Sequence, residues 1–458
     1  MFVAGEGLCT WERPLRDHEC VKTDDPVVAA GHTIDPADWQ AELDVLMSRV
    51  AGRFARIETR QRARALVQGL VASLPSKNCW SLAEHAGDAS PDGMQHLLRK
   101  AVWDADAVRD DVRDIALQHL GCRQAVLVLD ETGDLKKGSH TVGVQRQYTG
   151  TAGRIENAQV AVFATYATEA GHTLIDRELY LPRCWAEDPD RRQAAGVPDD
   201  VEFATKPQLA AAMITRAVQT EVPVSWVAAD EVYGGNTSLR RQLEQLQLSY
   251  VLAISCDHRV STGAGTTRAD TVVASLPKRA WQRVSAGAGA HGQRYYDWAL
   301  LELAEPDQAG KRWLLARRNR HTGELAYYRC HSPSPAPLST LVRVAGRRWT
   351  VEESFQTAKG QTGLDQHQVR RWRSWYRWTT LVMLAHAFLA ITTASARTRP
   401  APAGLIPLTL PEIARLFHAL TGASPEQITH ILDWSTWRRR HQHRARKAHY
   451  QRQHNQQP

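Results

Sequence analysis

Two apolar segments that each end in aspartate place the strongest constraint on the fold. Residues 124–130 read Gln-Ala-Val-Leu-Val-Leu-Asp, and residues 222–230 read Val-Pro-Val-Ser-Trp-Val-Ala-Ala-Asp. Short apolar runs of this kind predict buried strands, with an acid where each strand stops. Ligand sites of open α/β sheets gather outside the carboxyl ends of strands, so Asp130 and Asp230 can converge there. Taken singly, either aspartate is better explained as a helix N-cap or turn residue.

A third acid lies in a basic segment with helical spacing. Arg348, Glu352 and Lys359 stand at i, i+4 and i+11, on one face of a helix. A site that handles a polyanion through bound metal needs this mixture, because carboxylates hold the metal while cations hold phosphates. A solvated amphipathic helix with ion pairs would be the better interpretation if this helix stood alone. Together with Asp130 and Asp230, the segment favours a site.

The rest of the chain alternates helical and strand patterns. Strands are predicted at residues 159–167, 173–181 and 250–255, helices at 38–73, 79–120, 207–220 and 238–246, and further strand-like runs at 281–285, 295–303 and 312–317. The interval between Asp230 and Glu352 is longer than one strand and one helix require. A β-rich insertion is therefore predicted between them.

Several motifs together resemble one known family. They are Leu-Asp-Glu-Thr-Gly at residues 129–133, Lys-Lys-Gly at 136–138, Val-Gly-Val-Gln-Arg-Gln-Tyr at 142–148, Ala-Asp-Glu-Val-Tyr-Gly at 229–234, and the segment 349–365. Over roughly residues 80–390 the chain resembles the DDE-type insertion-sequence transposases, most closely the insertion-sequence 701 family. The resemblance implies an α/β fold in which a ribonuclease-H-like mixed sheet is flanked by helices, with a β-rich insertion and a helical N-terminal domain.

A signature of a related group bears on the third acid. That group carries Tyr-x2-Arg-x3-Glu-x6-Lys, and Arg348, Glu352 and Lys359 match its last three members. Ala345 stands where the Tyr would be. The alignment selects Glu352 over Glu353, because only Glu352 has Arg four residues before it and Lys seven after it.

The patterns along the chain, together with the resemblance over residues 80–390, predict a division of the chain. It runs as a poorly ordered extension (1–34), a helical candidate DNA end-binding domain (35–120), the first part of the catalytic core (121–256), the β-rich insertion (257–335), the second part of the core (336–397), and a C-terminal helical region with a basic tail (398–458). The helical region 35–120 is equally explained as a brace packed on the core, because its arginines are mixed with acids.

The chemistry implied is phosphoryl transfer by three carboxylates. Asp130, Asp230 and Glu352 are the predicted catalytic and metal-binding residues, with Asp130 shared between two ions about 3.5–4 Å apart. Carboxylates without a His or Cys cluster favour Mg²⁺ or Mn²⁺ over zinc. Water would nick the end of the element and free a 3′-hydroxyl, which would then attack target DNA in the same site.

Eight residues are the predicted DNA contacts: Arg348, Trp349, Lys359, Lys136, Lys137, Arg146, Tyr148 and Trp298. Arg348 and Lys359 would hold flanking phosphates, and Trp349 would pack beside them or in the core. Lys136, Lys137, Arg146 and Tyr148, which follow Asp130 in the sequence, would line the DNA path or stabilise a loop. Trp298 would stack on unpaired bases, although aromatic residues of a β insertion more often belong to the core.

Charge and composition agree with a polyanionic partner. The chain of 458 residues has a net charge of +8 and a pI near 9.2, and residues 434–458 contain Arg and Lys but no acid. That tail would bind DNA through phosphates, or is a solvated, disordered end. Double-stranded DNA, as element ends and target, is the predicted partner, and two ends held together imply a homodimer in a synaptic complex.

Cysteine usage and hydropathy predict the compartment. The cysteines lie far apart without a C-x-x-C pair, and the amino terminus lacks an apolar signal region, so a cytoplasmic, nucleoid-associated protein is expected. Residues 379–396 are apolar, but a buried core helix explains them better than a membrane span. Two alternatives to a transposase stay open: an endonuclease of the same core that does not join DNA, and an inactive transposase-derived DNA-binding protein.

Overall fold

The computed structural model describes residues 36–289, 292–304, 309–398, 401–402, 404–420 and 425–455. The predicted N-terminal extension, residues 1–34, lies outside the described residues. Helices and strands account for most of the described chain. They are α1 (Pro36–Val50), α2 (Ile57–Val71), α3 (Cys79–His85), α4 (Asp92–Arg99), α5 (Ala105–Leu120), β1 (Val126–Leu135), β2 (Gln145–Thr149), β3 (Arg154–Ala167), β4 (His172–Leu179), α6 (Arg183–Ala186), α7 (Pro189–Ala195), α8 (Lys206–Gln219), β5 (Trp226–Ala229), α9 (Glu231–Gly234), α10 (Thr237–Gln245), β6 (Ser249–Ile254), β7 (Arg259–Thr262), β8 (Gly265–Arg268), α11 (Ala269–Ala274), β9 (Gln282–Gly289), β10 (Gly292–Glu302), β11 (Lys311–Arg318), β12 (Leu325–Ser332), α12 (Leu338–Arg347), α13 (Trp349–Thr362), α14 (Trp372–Arg397), α15 (Leu410–Leu420) and α16 (Pro425–Asn455).

Among the described residues, one ten-stranded mixed sheet organises the chain. Its first half runs β4-β3-β1-β5-β6, with β3 antiparallel to both β1 and β4, and with β5 parallel to both β1 and β6. A sheet in which three antiparallel strands (β4, β3, β1) are followed by two strands parallel to β1 (β5, β6) has the ribonuclease-H-like arrangement. The predicted fold class is confirmed.

The β-rich insertion continues the core sheet. Strand β12 pairs antiparallel with β6, and β11, β10 and β9 follow in order. Strand β6 would otherwise present unpaired backbone groups at an edge, and β12 covers them. Only the short hairpin β7-β8 forms a sheet of its own within the described residues.

Helix α14 runs through the centre of the molecule. It is long and apolar enough to cross a membrane, yet 89% of its most apolar window is buried inside the protein. It packs against α2, α4, α5, α13 and β4. The burial agrees with the prediction of a core helix for residues 379–396.

The N-terminal helices share the hydrophobic core of the sheet. Leu43, Leu66 and Val112 belong to the same buried cluster as Val128 and Leu384. Helices α1 to α5 therefore brace one face of the core. Their part in DNA binding stays a prediction.

Candidate active site

The register of the parallel strands brings the two aspartates side by side. Leu129 of β1 pairs with Ala229 of β5, and Asp130 and Asp230 are the next residues on these neighbouring strands. Neighbouring strands lie about 4.8 Å apart, so the two residues are adjacent at the end of the parallel segment.

Strand β1 does not stop at Asp130, contrary to the sequence prediction. It continues to Leu135, because β3 pairs with it from Val126 through Leu135. Asp130 therefore lies inside a strand, where only its parallel partner has ended. Its Oδ1 accepts a hydrogen bond from the Glu131 amide at 2.8 Å, and its side chain is 15% exposed.

Asp230 caps a short helix. Strand β5 covers only Trp226–Ala229, and α9 begins at the next residue. The Oδ1 of Asp230 accepts from the Val232 amide at 2.9 Å, which satisfies one of the free donors at the helix start. The N-cap interpretation and the adjacency to Asp130 thus hold together, since the residue that caps α9 is also the one beside Asp130.

The two carboxyl groups repel each other in a buried setting. Burial, the charge of Asp230 and that of Glu131 raise the pKa of Asp130 to about 8. Burial and Glu131 likewise raise the pKa of Asp230 to about 6. Both shifts mean that negative charge at this edge is under-compensated by the protein. A divalent cation would relieve it.

Arg348 is the cation that faces all three predicted acids. Its guanidinium lies 3.0 Å from Oε1 of Glu352 and 4.0 Å from Oδ2 of Asp130, and it lowers the pKa of Asp230. Arg348 closes α12 and immediately precedes α13, and Glu352 lies in the first turn of α13. The predicted spacing of Arg348 and Glu352 therefore appears as an i,i+4 ion pair.

The three acids converge on Arg348 rather than on a common point. Within the described residues, no group of three His, Cys, Asp or Glu side chains is arranged to hold a metal ion. Glu352 is 38% exposed, at the entrance of the cluster. The donor set nevertheless fits a hard divalent cation, because all three predicted donors are carboxylates and Asp130 and Asp230 are held side by side with raised pKa values.

Two neighbouring acids have different surroundings: Glu131 lies at the site and was not predicted there, whereas Glu353, which the alignment rejected in favour of Glu352, pairs elsewhere. Glu131 accepts from Lys206 Nζ at 2.6 Å and from the Tyr233 hydroxyl at 2.7 Å, which links β1 to α8 and α9. Glu353 pairs with His172 of β4 at 3.2 Å. A signal was present, since each predicted ligand is followed directly by a glutamate.

Lys359 lies deeper than a free phosphate-binding cation. Its Nζ donates to the Gly133 carbonyl at 3.2 Å and to Thr151 at 3.3 Å, and it lies 3.9 Å from Asp134. These contacts tie α13 to β1 and to the β2–β3 turn. Its side chain is 17% exposed, and its ammonium is held beside β1 by the Gly133 carbonyl and the Thr151 hydroxyl.

The remaining predicted DNA contacts divide into surface and interior groups. Trp349 is 41% exposed and packs beside Arg348, and Tyr148 is 63% exposed. Lys137 and Arg146 are also exposed, the latter on the same edge strand as Tyr148. Lys136 instead donates to the His367 carbonyl at 3.3 Å, as its loop-stabilising alternative requires.

The prediction for Trp298 is corrected by the structure. Its side chain is 1% exposed, its indole N–H donates to the Val284 carbonyl at 3.2 Å, and it packs near Tyr328. It belongs to the buried cluster that also contains Leu341 and Val342 of α12, where a DNA base cannot reach it. An aromatic residue on the covered face of a sheet gains more from burial than from exposure.

Removing the charge of Arg348 is expected to weaken DNA cleavage. We expect Arg348→Gln to lower the single-turnover rate by about 10- to 100-fold, as loss of a supporting partner typically does at metal sites. The rate of Arg348→Lys should lie between those of the wild type and Arg348→Gln, because one ammonium cannot contact Asp130 and Glu352 together. Wild-type rates for Arg348→Gln would show that the ion pairs at 3.0 and 4.0 Å do not matter for the reaction.

Comparison with known proteins finds a matching family model, a curated relative and a similar solved structure. The family model described as DDE superfamily endonuclease matches residues 49–309, more than half of the chain. That range contains Asp130 and Asp230, and Glu352 lies beyond it. A probable transposase for insertion sequence element IS701 from Microchaete diplosiphon is 32% identical over 209 residues.

The matched region is 45% of this chain and 52% of that relative, so the chain spans about half the length of the curated relative. Among solved structures, a piggyBac transposase synaptic complex with hairpin DNA is similar over 87% of this chain and 85% of its own, with a TM-score of 0.40 and 13% identity.

Proposed function

We propose that this chain, which belongs to the DDE superfamily of endonucleases, is a DNA transposase that cleaves the ends of an insertion sequence and joins them to target DNA. The observation that carries the proposal is the side-by-side placement of Asp130 and Asp230 on parallel strands, with Arg348 connecting Asp130 to Glu352. The named relative, a probable insertion-sequence transposase, supports the same activity.

Each residue of the site has a proposed task. Asp130, Asp230 and Glu352 would hold two Mg²⁺ or Mn²⁺ ions, which supply the Lewis acidity that phosphoryl transfer requires. DDE superfamily endonucleases generally use such metals. Arg348 would neutralise phosphate charge beside the carboxylates, and Lys359 would fix α13 against Gly133 so that Glu352 keeps its place.

The surface around the site provides the DNA path. Trp349, Tyr148, Arg146 and Lys137 are exposed side chains that can contact a backbone or a base without unfolding. Double-stranded DNA is the proposed partner, as element end and as target. Two ends must be held at once, so the proposal includes a homodimer acting in a synaptic complex on nucleoid DNA in the cytoplasm.

The decisive experiment separates cutting from joining. Purified protein is given precut element ends with a free 3′-hydroxyl and a supercoiled target plasmid, in Mg²⁺. We expect joined products with Mg²⁺ or Mn²⁺ and none after chelation with EDTA, since the single guanidinium of Arg348 cannot supply the Lewis acidity that the metals would bring.

The control uses uncut ends under the same conditions. Cleavage without joining of precut ends would favour the second candidate, an endonuclease of the same core. Neither cleavage nor joining, with end binding retained, would favour an inactive DNA-binding derivative. The raised pKa values of Asp130 and Asp230 speak against that last candidate, because a charge cluster with no task costs stability.

A further inference from the structure

We propose that a basic pocket beside the N-terminal helices binds an unpaired nucleotide of a DNA strand; this inference rests on the proposed function. The pocket is a cavity of about 410 Å³ between the α3–α4 region and the segment that joins α13 to α14. That volume falls in the range of small-molecule sites. Two parts of the chain that are far apart in sequence build it together.

Three arginines surround the pocket without acidic partners. Arg99 closes α4, and Arg370 and Arg371 precede α14. All three are exposed, and within the described residues none of their guanidinium groups forms an ion pair or a side-chain hydrogen bond. No Asp or Glu lines the pocket. Such a surface attracts phosphate groups, because nothing in the protein satisfies its charge.

A second large pocket shows the contrast. It lies between α5, α14 and the segment after α7, and its basic residues are mixed with Asp104, Asp106, Glu178 and Asp200. Its charges are therefore compensated within the protein. The pocket with Arg99, Arg370 and Arg371 differs in having an acid-free lining.

Aromatic surface completes the site. Trp80, the second residue of α3, lines the pocket with 67% of its surface exposed. Its backbone is fixed, because its own amide N–H donates to Oδ1 of the N-cap residue Asn78 at 2.9 Å. Trp378 is also part of the lining, is 1% exposed, and its indole N–H has no hydrogen-bond partner. An exposed indole beside three cations fits a base with its flanking phosphates, because every base offers a face for stacking.

The pocket is connected to the candidate active site by one helix. Helix α13 carries Glu352 in its first turn and ends at Thr362, and the segment that follows it lines the pocket from Gln368 to Arg371. From Glu352 to the last helical residue, Thr362, the helix rises by about 15 Å. A DNA strand that left the acids along α13 would therefore pass the pocket after several nucleotides.

The test uses the full chain, EDTA and a ten-nucleotide single-stranded DNA with a fluorescent label. We expect Trp80→Ala to weaken binding by at least about 5-fold, and Trp80→Phe to keep most of it, because the stacking face is retained. Arg370→Gln should lower the slope of log affinity against log salt by about 0.7. Arg123→Gln is the matched control, since Arg123 is exposed and precedes β1, at the opposite end of the parallel strands from Asp130.

Two results would overturn the inference. One is wild-type affinity for Trp80→Ala, and the other is an equal loss of salt dependence for Arg123→Gln. Cleavage and joining are measured separately on wild-type protein in Mg²⁺. If the wild type cleaves DNA but single-stranded DNA binding does not depend on Trp80, the nucleotide pocket alone is refuted. If binding depends on Trp80 but the wild type does not cleave DNA, the proposed function is refuted and the nucleotide pocket is not.

Discussion

Asp130→Asn is expected to reduce cleavage of element ends in Mg²⁺ by at least about 1,000-fold. Loss of a residue that only supports a metal ligand typically costs about 10- to 100-fold, and Asp130 is itself one of the residues that would hold the metal in the proposed function. Asparagine keeps the shape and one oxygen but removes the charge. Rates are measured under single-turnover conditions, and end binding is measured in parallel without metal, where it should be unchanged or stronger.

The matched control for Asp130→Asn is Glu231→Gln. Glu231 is an exposed acid directly after Asp230, in the first turn of α9. Its substitution by Gln removes the same charge from the same edge of the sheet. Its variant should cleave at close to the wild-type rate. Near-wild-type cleavage by Asp130→Asn, or an equal loss for both variants, would contradict the role given to Asp130.

The adjacency of Asp130 and Asp230 was predictable because it depends on local pattern. Each apolar run is long enough to form a strand and each ends in an acid, and parallel strands of one sheet end at the same edge. The length of β1 was not predictable in the same way. Residues 131–134 are largely polar, so only their pairing with β3 reveals that they form a strand.

The environments of Lys359 and Trp298 depend on contacts from far along the chain. Helical spacing placed Lys359 on the face of Glu352, but its partners Gly133 and Thr151 are more than 200 residues away. For Trp298, the residue pattern at 295–303 predicted a strand, but it did not show which face of that strand other elements cover. Helix α12, which packs on β9 and shares the buried cluster of Trp298 through Leu341 and Val342, provides that cover. The pocket at Trp80 has no local signal, since its two walls are joined only by folding.

Gly234→Ala is expected to damage both the fold and the site. A methyl group at Gly234 would lie 1.8 Å from the Ala253 carbonyl oxygen and 3.1 Å from Leu252, both in β6. Backbone cannot yield as a flexible side chain does, so α9 must shift, at a cost of about 1–3 kcal/mol in the free energy of unfolding. Because Asp230 caps α9, the shift moves the carboxylate away from Asp130. Displacements near 1 Å can lower a rate by about 100-fold.

Gly235→Ala is the control that makes this prediction specific. The neighbouring glycine has an ordinary helical backbone, φ −67° and ψ −20°, and an added methyl group would be 3.2 Å from the Glu231 carbonyl of its own turn. We expect its stability in urea to change little, and its cleavage rate to stay near that of the wild type. For Gly234→Ala, we also expect a higher Mg²⁺ concentration to be needed for half-maximal cleavage, since one carboxylate is misplaced while the other two stay. A stable Gly234→Ala protein with the wild-type Mg²⁺ requirement would mean that contact between α9 and β6 does not position Asp230.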